Sequence, residues 1–279
     1  MNMIKTNNAG EFITIFDSIT EMVNYCKVTK QGKYFTGHSS RTGSHSFCHT
    51  ETLEEANELS KTGWQEGYEL LRKHEHTVKV NPTAADRKHY ERINVEGFVP
   101  CVPRAIEGHP ESMFNAIKIP YKHRVLNFVI NISASCSYTT EEFIKRATFT
   151  AQMIDVIENK GYRINLYVGE GARNGGETSV IMTKIKSSTE QLSLKRMVYP
   201  IGHPSLLRRH YFKVLESLDV DEDWSCGYGR PDDECIKKYC KRTYDAFLFV
   251  PSLNAIGVRS NDYQDYLKKV FDYNDFKLT

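Results

Sequence analysis

Two regimes of apolar and polar patterning divide this chain, and the second half is the regular one. Val125 to Ile132 (VLNFVINI) is an apolar run with β-branched content, which predicts a buried strand. A polar turn, Ser133 to Thr140, follows it. Thr139 or Thr140 is placed to cap a helix that carries Glu141 and Glu142 in its first turn. Phe143, Ala147, Thr150, Ile154 and Ile157 mark that helix's buried face, and Gly161 ends it. Tyr162 to Val168 predicts the next strand, Gly169 to Gly176 a Gly-rich hairpin loop, and Thr178 to Ile185 the returning strand. Leu192 to Val198 and Ser205 to Leu218 read as helices, the second just behind Pro204. Ala246 to Val250 (AFLFV) predicts a late buried strand and Asn261 to Phe271 a closing helix. This order of elements predicts an α/β domain with a mostly parallel sheet over residues 123–279.

Residues 1–122 form a mixed helical and irregular extension in this reading. Phe12 to Ile19 mix apolar and polar positions, and Asp17-Ser18 is placed to cap a short helix running to Tyr25. Gly37 to Thr50 is rich in Gly, Ser, Thr and His and reads as a loop. Thr50 or Thr52 caps a helix with Glu54 and Glu55 in its first turn; Gly63-Trp64 breaks it, and Trp64, Tyr68 and Leu71 continue a second helix to about His76. From Thr77 to Lys122 prolines punctuate the chain, with strands expected near Glu96 to Val102 and Met113 to Ile119.

Composition narrows the class without naming a function. The 279 residues are 40% hydrophobic and 26% charged, as in ordinary globular proteins, and enough to bury a core without disulfides. No apolar run reaches the length of a membrane span, and the opening MNMIKTNNAGEFITIFDS lacks the long apolar stretch of a secretory signal. Seven scattered cysteines predict reduced thiols in a cytosolic setting.

The net charge of +2 says little, but its distribution says more. Lys184, Lys186, Lys195, Arg196, Arg208, Arg209 and Lys213 fall in one stretch against the single acid Glu190. Asp219, Asp221, Glu222 and Asp223 open an acidic stretch immediately after it. Such segregation builds a field that attracts phosphate, unless the two segments pair with each other in the fold.

Three short motifs carry candidate chemistry. Asn131-Ile132-Ser133-Ala134-Ser135 sits at the carboxyl end of a predicted buried strand, where open α/β sheets place their ligands. Gly202-His203-Pro204-Ser205-Leu206-Leu207-Arg208-Arg209 reads as a helix start with two arginines one turn in, a natural phosphate cradle. Gly227-Tyr228-Gly229-Arg230-Pro231 offers a ring and a guanidinium on a turn, suited to stacking on and gripping an unpaired base. A packed helix with exposed arginines and a plain turn are the plainer readings of the last two.

The first motif resembles the metal site of von Willebrand A-type domains, an Asp-x-Ser-x-Ser at the same strand-to-helix junction. The likeness runs from Val125 to Phe271 and implies a three-layer α/β fold. Asn131 stands where that family has Asp, with Ser133 and Ser135 on its serines, and Pro251-Ser252-Leu253-Asn254 replaces its later Asp. A neutral amide in place of the carboxylate removes the strongest ligand for Mg²⁺, so Asn131, Ser133 and Ser135 read as a degenerate site holding no metal. Gly63-Trp64-Gln65-Glu66-Gly67-Tyr68, Asn131 to Ser135, His203 to Arg209 and Gly227 to Pro231 together resemble a family of phage and bacterial proteins. It is associated with single-stranded-DNA-binding factors that recruit a phage single-subunit RNA polymerase to promoters.

That resemblance implies a non-enzymatic DNA-binding accessory factor acting in the cytoplasm of an infected host, with DNA and the polymerase as partners. Lys184, Lys186, Lys195, Arg196, Arg208, Arg209 and Arg230 are its candidate phosphate contacts, Tyr228 its stacking ring, and Asp219 to Asp223 its docking surface for the polymerase. A von Willebrand A-like protein-interaction adaptor is the alternative.

Other chemistry finds less support. His38, His45, Cys48 and His49, and Cys226, Cys235 and Cys240, lack the paired spacing of a structural zinc site. There is no Walker A, no G-x-S-x-G, no HExxH and no dinucleotide fingerprint, and Cys136 with His203 is the only nucleophile and base to suggest itself. No cofactor and no catalysis are expected.

Overall fold

The computed structural model describes residues 10–32, 38–75, 90–97, 99–116, 124–218, 228, 230–257 and 262–274. The apolar run becomes β5 (Arg124–Asn131), whose Leu126, Phe128, Val129 and Ile130 are buried. β6 (Tyr162–Asn174) pairs with it in parallel on one side and β9 (Phe247–Val250) on the other. β7 (Glu177–Lys186) returns antiparallel to β6, and β1 (Glu11–Phe16) lies parallel to β7 at the edge, giving the order β1-β7-β6-β5-β9. The short β8 (Arg230–Pro231) adds to the end of β6. A separate three-stranded sheet holds β2 (Tyr90–Asn94), β4 (Met113–Ala116) and β3 (Val99–Pro100), with α6 (Val102–Ile106) between β3 and β4.

Both faces of the central sheet are covered because its strands are apolar on both sides. Phe128, Ile130, Leu166 and Val168 face a large core shared with α7 (Thr140–Asn159) and α8 (Leu194–Gly202). Val129, Tyr167, Val180 and Phe249 face a second core closed by Cys235, Ile236, Tyr239 and Cys240 of α10 (Asp233–Thr243). α11 (Tyr263–Asn274) packs beside α7 and β9. This is the mostly parallel α/β architecture that the element order predicts, in the three layers that the von Willebrand A-type resemblance implies.

The first part of the residues read as an extension builds into the same body. β1 joins the sheet, and α4 (Leu53–Thr62) and α5 (Gln65–Glu75) pack against the helical layer of α7 and α8. Ser18 caps α1 (Ile19–Val28) and Thr52 caps α4. Thr139 forms a reciprocal capping box with Glu142 on α7, which satisfies two otherwise orphaned amides.

Several expectations are corrected. Residues 169–174 belong to β6, not to a loop, and the turn is confined to Gly175-Gly176. The reason is packing: a Cβ on Gly171 would run into the Asp232 carbonyl and the Cys235 thiol, so the glycine lets α10 close directly onto the strand. The Gly, Ser and His segment contains two short helices, α2 (Ser39–Thr42) and α3 (His45–Cys48). Ser205 to Leu218 is not one regular helix, but a π-helical segment, Leu206–Tyr211, running into α9 (Phe212–Leu215). The end of the strand expected to reach Ile119 lies outside the described residues, as does His76.

Candidate nucleic-acid interface

Four of the predicted cations meet in one groove. Lys184 and Lys186 end β7, while Lys195 and Arg196 stand in the first turn of α8. All four line a cavity of about 680 Å³ whose other wall is the start of α1 and the end of α4. Lys61, some 120 residues away in sequence, lies on that far wall and completes the set. Gly63 (φ +83°) ends α4 and lets Lys195 pack over the backbone there.

These cations are not equivalent. Lys186 is buried; its Nζ lies 2.9 Å from Glu158 Oε1 and donates to the carbonyls of Ile164 (3.1 Å) and Ser187 (3.3 Å). Its charge is spent on the fold. Lys184 rests 5.6 Å over the Tyr167 ring and 3.9 Å from Asp17, and Lys61 pairs with Glu58. Both of these contacts involve exposed carboxylates and hold their lysines weakly. Lys195 and Arg196 are exposed and have no acidic partner among the described residues. The acid Glu190 also lines the groove, but its Oε2 accepts the Ser187 amide (2.8 Å) and so braces the β7–α8 turn.

Arg208, Arg209 and Tyr228 are placed elsewhere, and their expected role is corrected. The π-helical segment is buried along its whole length. Arg209 is fully buried and donates to the carbonyls of Ser40 (3.1 Å), Gly43 (2.8 Å), Thr50 (2.6 Å) and Glu51 (2.9 Å) and to Thr50 Oγ1 (3.2 Å). Arg208 donates to the carbonyls of Ser135 (3.1 Å) and Phe47 and lies 4.5 Å over the Phe47 ring. Burial pulls its pKa below the ordinary guanidinium value. The segment from Ser39 to Glu51 is two single-turn helices and their connections, which leave carbonyls in need of donors, and arginine's five N–H groups supply them.

Tyr228, in the left-handed region (φ 61°), stacks 3.9 Å from the Phe212 ring and donates to Glu216 Oε1 (2.7 Å). It presents no free ring to a base. Arg230 pairs with Arg173 through its backbone; its side chain and the acidic stretch Asp219 to Asp223 lie outside the described residues.

The strand-end motif is closed by a carboxylate that the sequence pattern did not single out. Asn131 is buried; its Nδ2 donates to Asp233 Oδ1 (2.7 Å) and its Oδ1 accepts the Ser133 amide (2.9 Å). Asp233, from the first turn of α10, also accepts the Ser252 amide (2.8 Å) and hydroxyl (2.9 Å). Ser133 Oγ is buried without a partner, and Ser135 is exposed, its amide donating to Asn254 Oδ1 (3.2 Å). The Asn131 amide thus points positive hydrogens at the one carboxylate, the place a cation would take, and this donor set does not fit a hard divalent ion.

Buried titratable groups gather under the π-helical segment. His203 Nδ1 is 2.7 Å from Ser205 Oγ, and His210 Nε2 is 3.0 Å from Asn57 Oδ1; burial lowers both imidazoles to about 3. Glu170 on β6 is buried with Oε2 unpartnered, and burial raises its carboxyl to about 8. Cys136 is exposed while His203 is held by Ser205, Tyr199 and Trp64. Among the described residues no group of three His, Cys, Asp or Glu side chains is arranged to hold a metal, and no helix is long and apolar enough to cross a membrane.

Over residues 4–272 the chain matches the family described as "Domain of unknown function (DUF7192)", and it belongs to that family. No curated protein and no solved structure matches it.

Proposed function

We propose that this member of the DUF7192 family is a non-enzymatic DNA-binding protein that holds a phosphate backbone in the groove between α1, α4, β7 and α8. The observation that carries this reading is the convergence of Lys61, Lys184, Lys195 and Arg196 on one concavity, with Lys195 and Arg196 free of acidic partners among the described residues. Unpaired cations on a concave wall are what a phosphodiester chain requires, and their neutralisation releases counterions from the nucleic acid. Recruitment of a phage RNA polymerase belongs to the same proposal and rests on the motif resemblance. The adaptor reading draws on the exposed Ser135, Cys136 and Asn254 at the other end of the sheet, where the Ser135 amide donates to Asn254 Oδ1.

Binding of labelled single-stranded and duplex DNA at two salt concentrations tests the proposal, with the Lys195→Glu/Arg196→Glu double variant alongside. Salt-sensitive binding by the parent and a loss of roughly a hundredfold in the variant are expected, since two cations become two anions. Absence of binding to either DNA at low salt removes the reading and leaves the adaptor.

A further inference from the structure

A second, smaller concavity lies at the opposite end of β7, where β1 begins and β6 ends, on the face covered by α10. It encloses about 260 Å³ and is lined by Glu11, Arg173, Thr178, Glu234, Lys238 and Lys241, with the Cys235 thiol in its wall. Two of its charges are already matched. Glu11 is taken by a two-pronged pair with Arg242 (2.7 and 3.1 Å), and Arg173 donates through Nε to Asp232 (2.6 Å).

What remains inside is unbalanced. Lys238 and Lys241 stand three residues apart on α10, so they share one helix face and repel each other. Neither has an acidic partner among the described residues, and Glu234 is the one acid left to face them. The two terminal nitrogens of Arg173 form no hydrogen bond among the described residues, and Thr178, its cross-strand partner, lines the same concavity. Two lysines, a guanidinium fork and a threonine around a half-open concavity are the donor set of an oxyanion site. The volume lies just under the roughly 300–1,000 Å³ of small-molecule pockets and is too small for a polymer.

We propose that this cavity binds a small phosphate monoester, such as a sugar phosphate, through Lys238, Lys241 and Arg173. A phosphate is favoured over a carboxylate because a dianion answers two unmatched lysines, and its tetrahedral oxygens reach the guanidinium fork as well. The site is separate from the DNA groove and stands or falls independently of it.

Thermal unfolding of the full chain tests this with three probes: inorganic phosphate, ribose 5-phosphate and citrate. Phosphate salts also stabilise proteins by exclusion from their surface, so the informative quantity is the difference between parent and variant. Lys238→Gln/Lys241→Gln replaces two exposed side chains and leaves the fold intact; Lys195→Gln/Arg196→Gln is the control in the groove.

At about a hundred times the dissociation constant, ribose 5-phosphate raises the midpoint of the parent and of the groove control by about 5 °C. It leaves Lys238→Gln/Lys241→Gln unmoved beyond the exclusion effect. An equal rise in that variant, no rise in the parent, or a larger rise with citrate than with ribose 5-phosphate overturns the proposal.

Discussion

Two pairs of adjacent cations, Lys195-Arg196 and Arg208-Arg209, look alike in sequence and meet opposite fates. Each stands near the start of a predicted helix, in the same basic stretch, a dozen residues apart. Lys195 and Arg196 remain exposed in a groove, whereas Arg208 and Arg209 are buried and surrounded by carbonyls. The difference lies in what each helix faces. α8 presents its first turn to solvent, while the π-helical segment meets the stretch between Ser39 and Glu51, where the carbonyls of Ser40, Gly43, Thr50 and Glu51 take Arg209 as donor. Arginine buried in this way serves as a bracket for irregular backbone. Its charge is no longer available to a ligand.

The sharpest way to break the comparison is to remove the bracket. Arg209→Ala leaves at least four carbonyls without their donor, and destabilisation of about 3–5 kcal/mol is expected in denaturant unfolding. Arg209→Lys recovers little, because one ammonium cannot span acceptors held by a planar fork. If Arg209→Ala unfolds at the parental denaturant concentration but loses DNA binding, the buried assignment is wrong.

The buried layer also titrates, and its imidazoles and its carboxyl act with opposite signs. His203 and His210 are depressed from 6.5 to about 3, so they contribute stability above pH 6.5 that is lost as pH falls toward 3. Glu170 is raised from 4.5 to about 8, so its contribution is present below pH 4.5 and is lost as pH rises through 8. Between pH 4.5 and 6.5 the two trends oppose. A Glu170→Gln background removes one of them, and there a shift from pH 6.5 to 5 costs about 3 kcal/mol for the two imidazoles together. A flat unfolding free energy across that interval in the Gln variant would contradict the burial of both histidines.

The sequence exposed those elements whose signal is local. The β5 run, the Ser18, Thr52 and Thr139 caps and the order of elements in the second half follow from runs, caps and spacing that each act within a few residues. Strand β1 was missed because its six residues mix Thr and Glu among apolar positions, and burial comes from β7 rather than from its own pattern. Gly171 reads as loop punctuation until α10 is laid across it. The site divides in the same way. Four groove cations are visible as a basic stretch, but Lys61 joins them only through the packing of α4, and Asp233 meets Asn131 only across 102 residues of chain. Burial of Arg208 and Arg209 depends on backbone acceptors far away in sequence, which no spacing rule encodes.

The smallest effect is also the one that isolates the groove. Lys195→Ala removes one exposed cation with no partner to strand, so unfolding should stay within about 0.5 kcal/mol of the parent. DNA affinity at low salt should fall only a few-fold. The slope of log affinity against log salt should also shrink by about 0.7 to 0.9, the signature of one lost phosphate contact. Arg209→Ala makes the matching case: measured on the folded fraction, its salt slope should equal the parent's, because its guanidinium never met a phosphate. A slope that changes for Arg209→Ala and not for Lys195→Ala would exchange the roles of the two pairs and move the proposed DNA path from α8 to the π-helical segment.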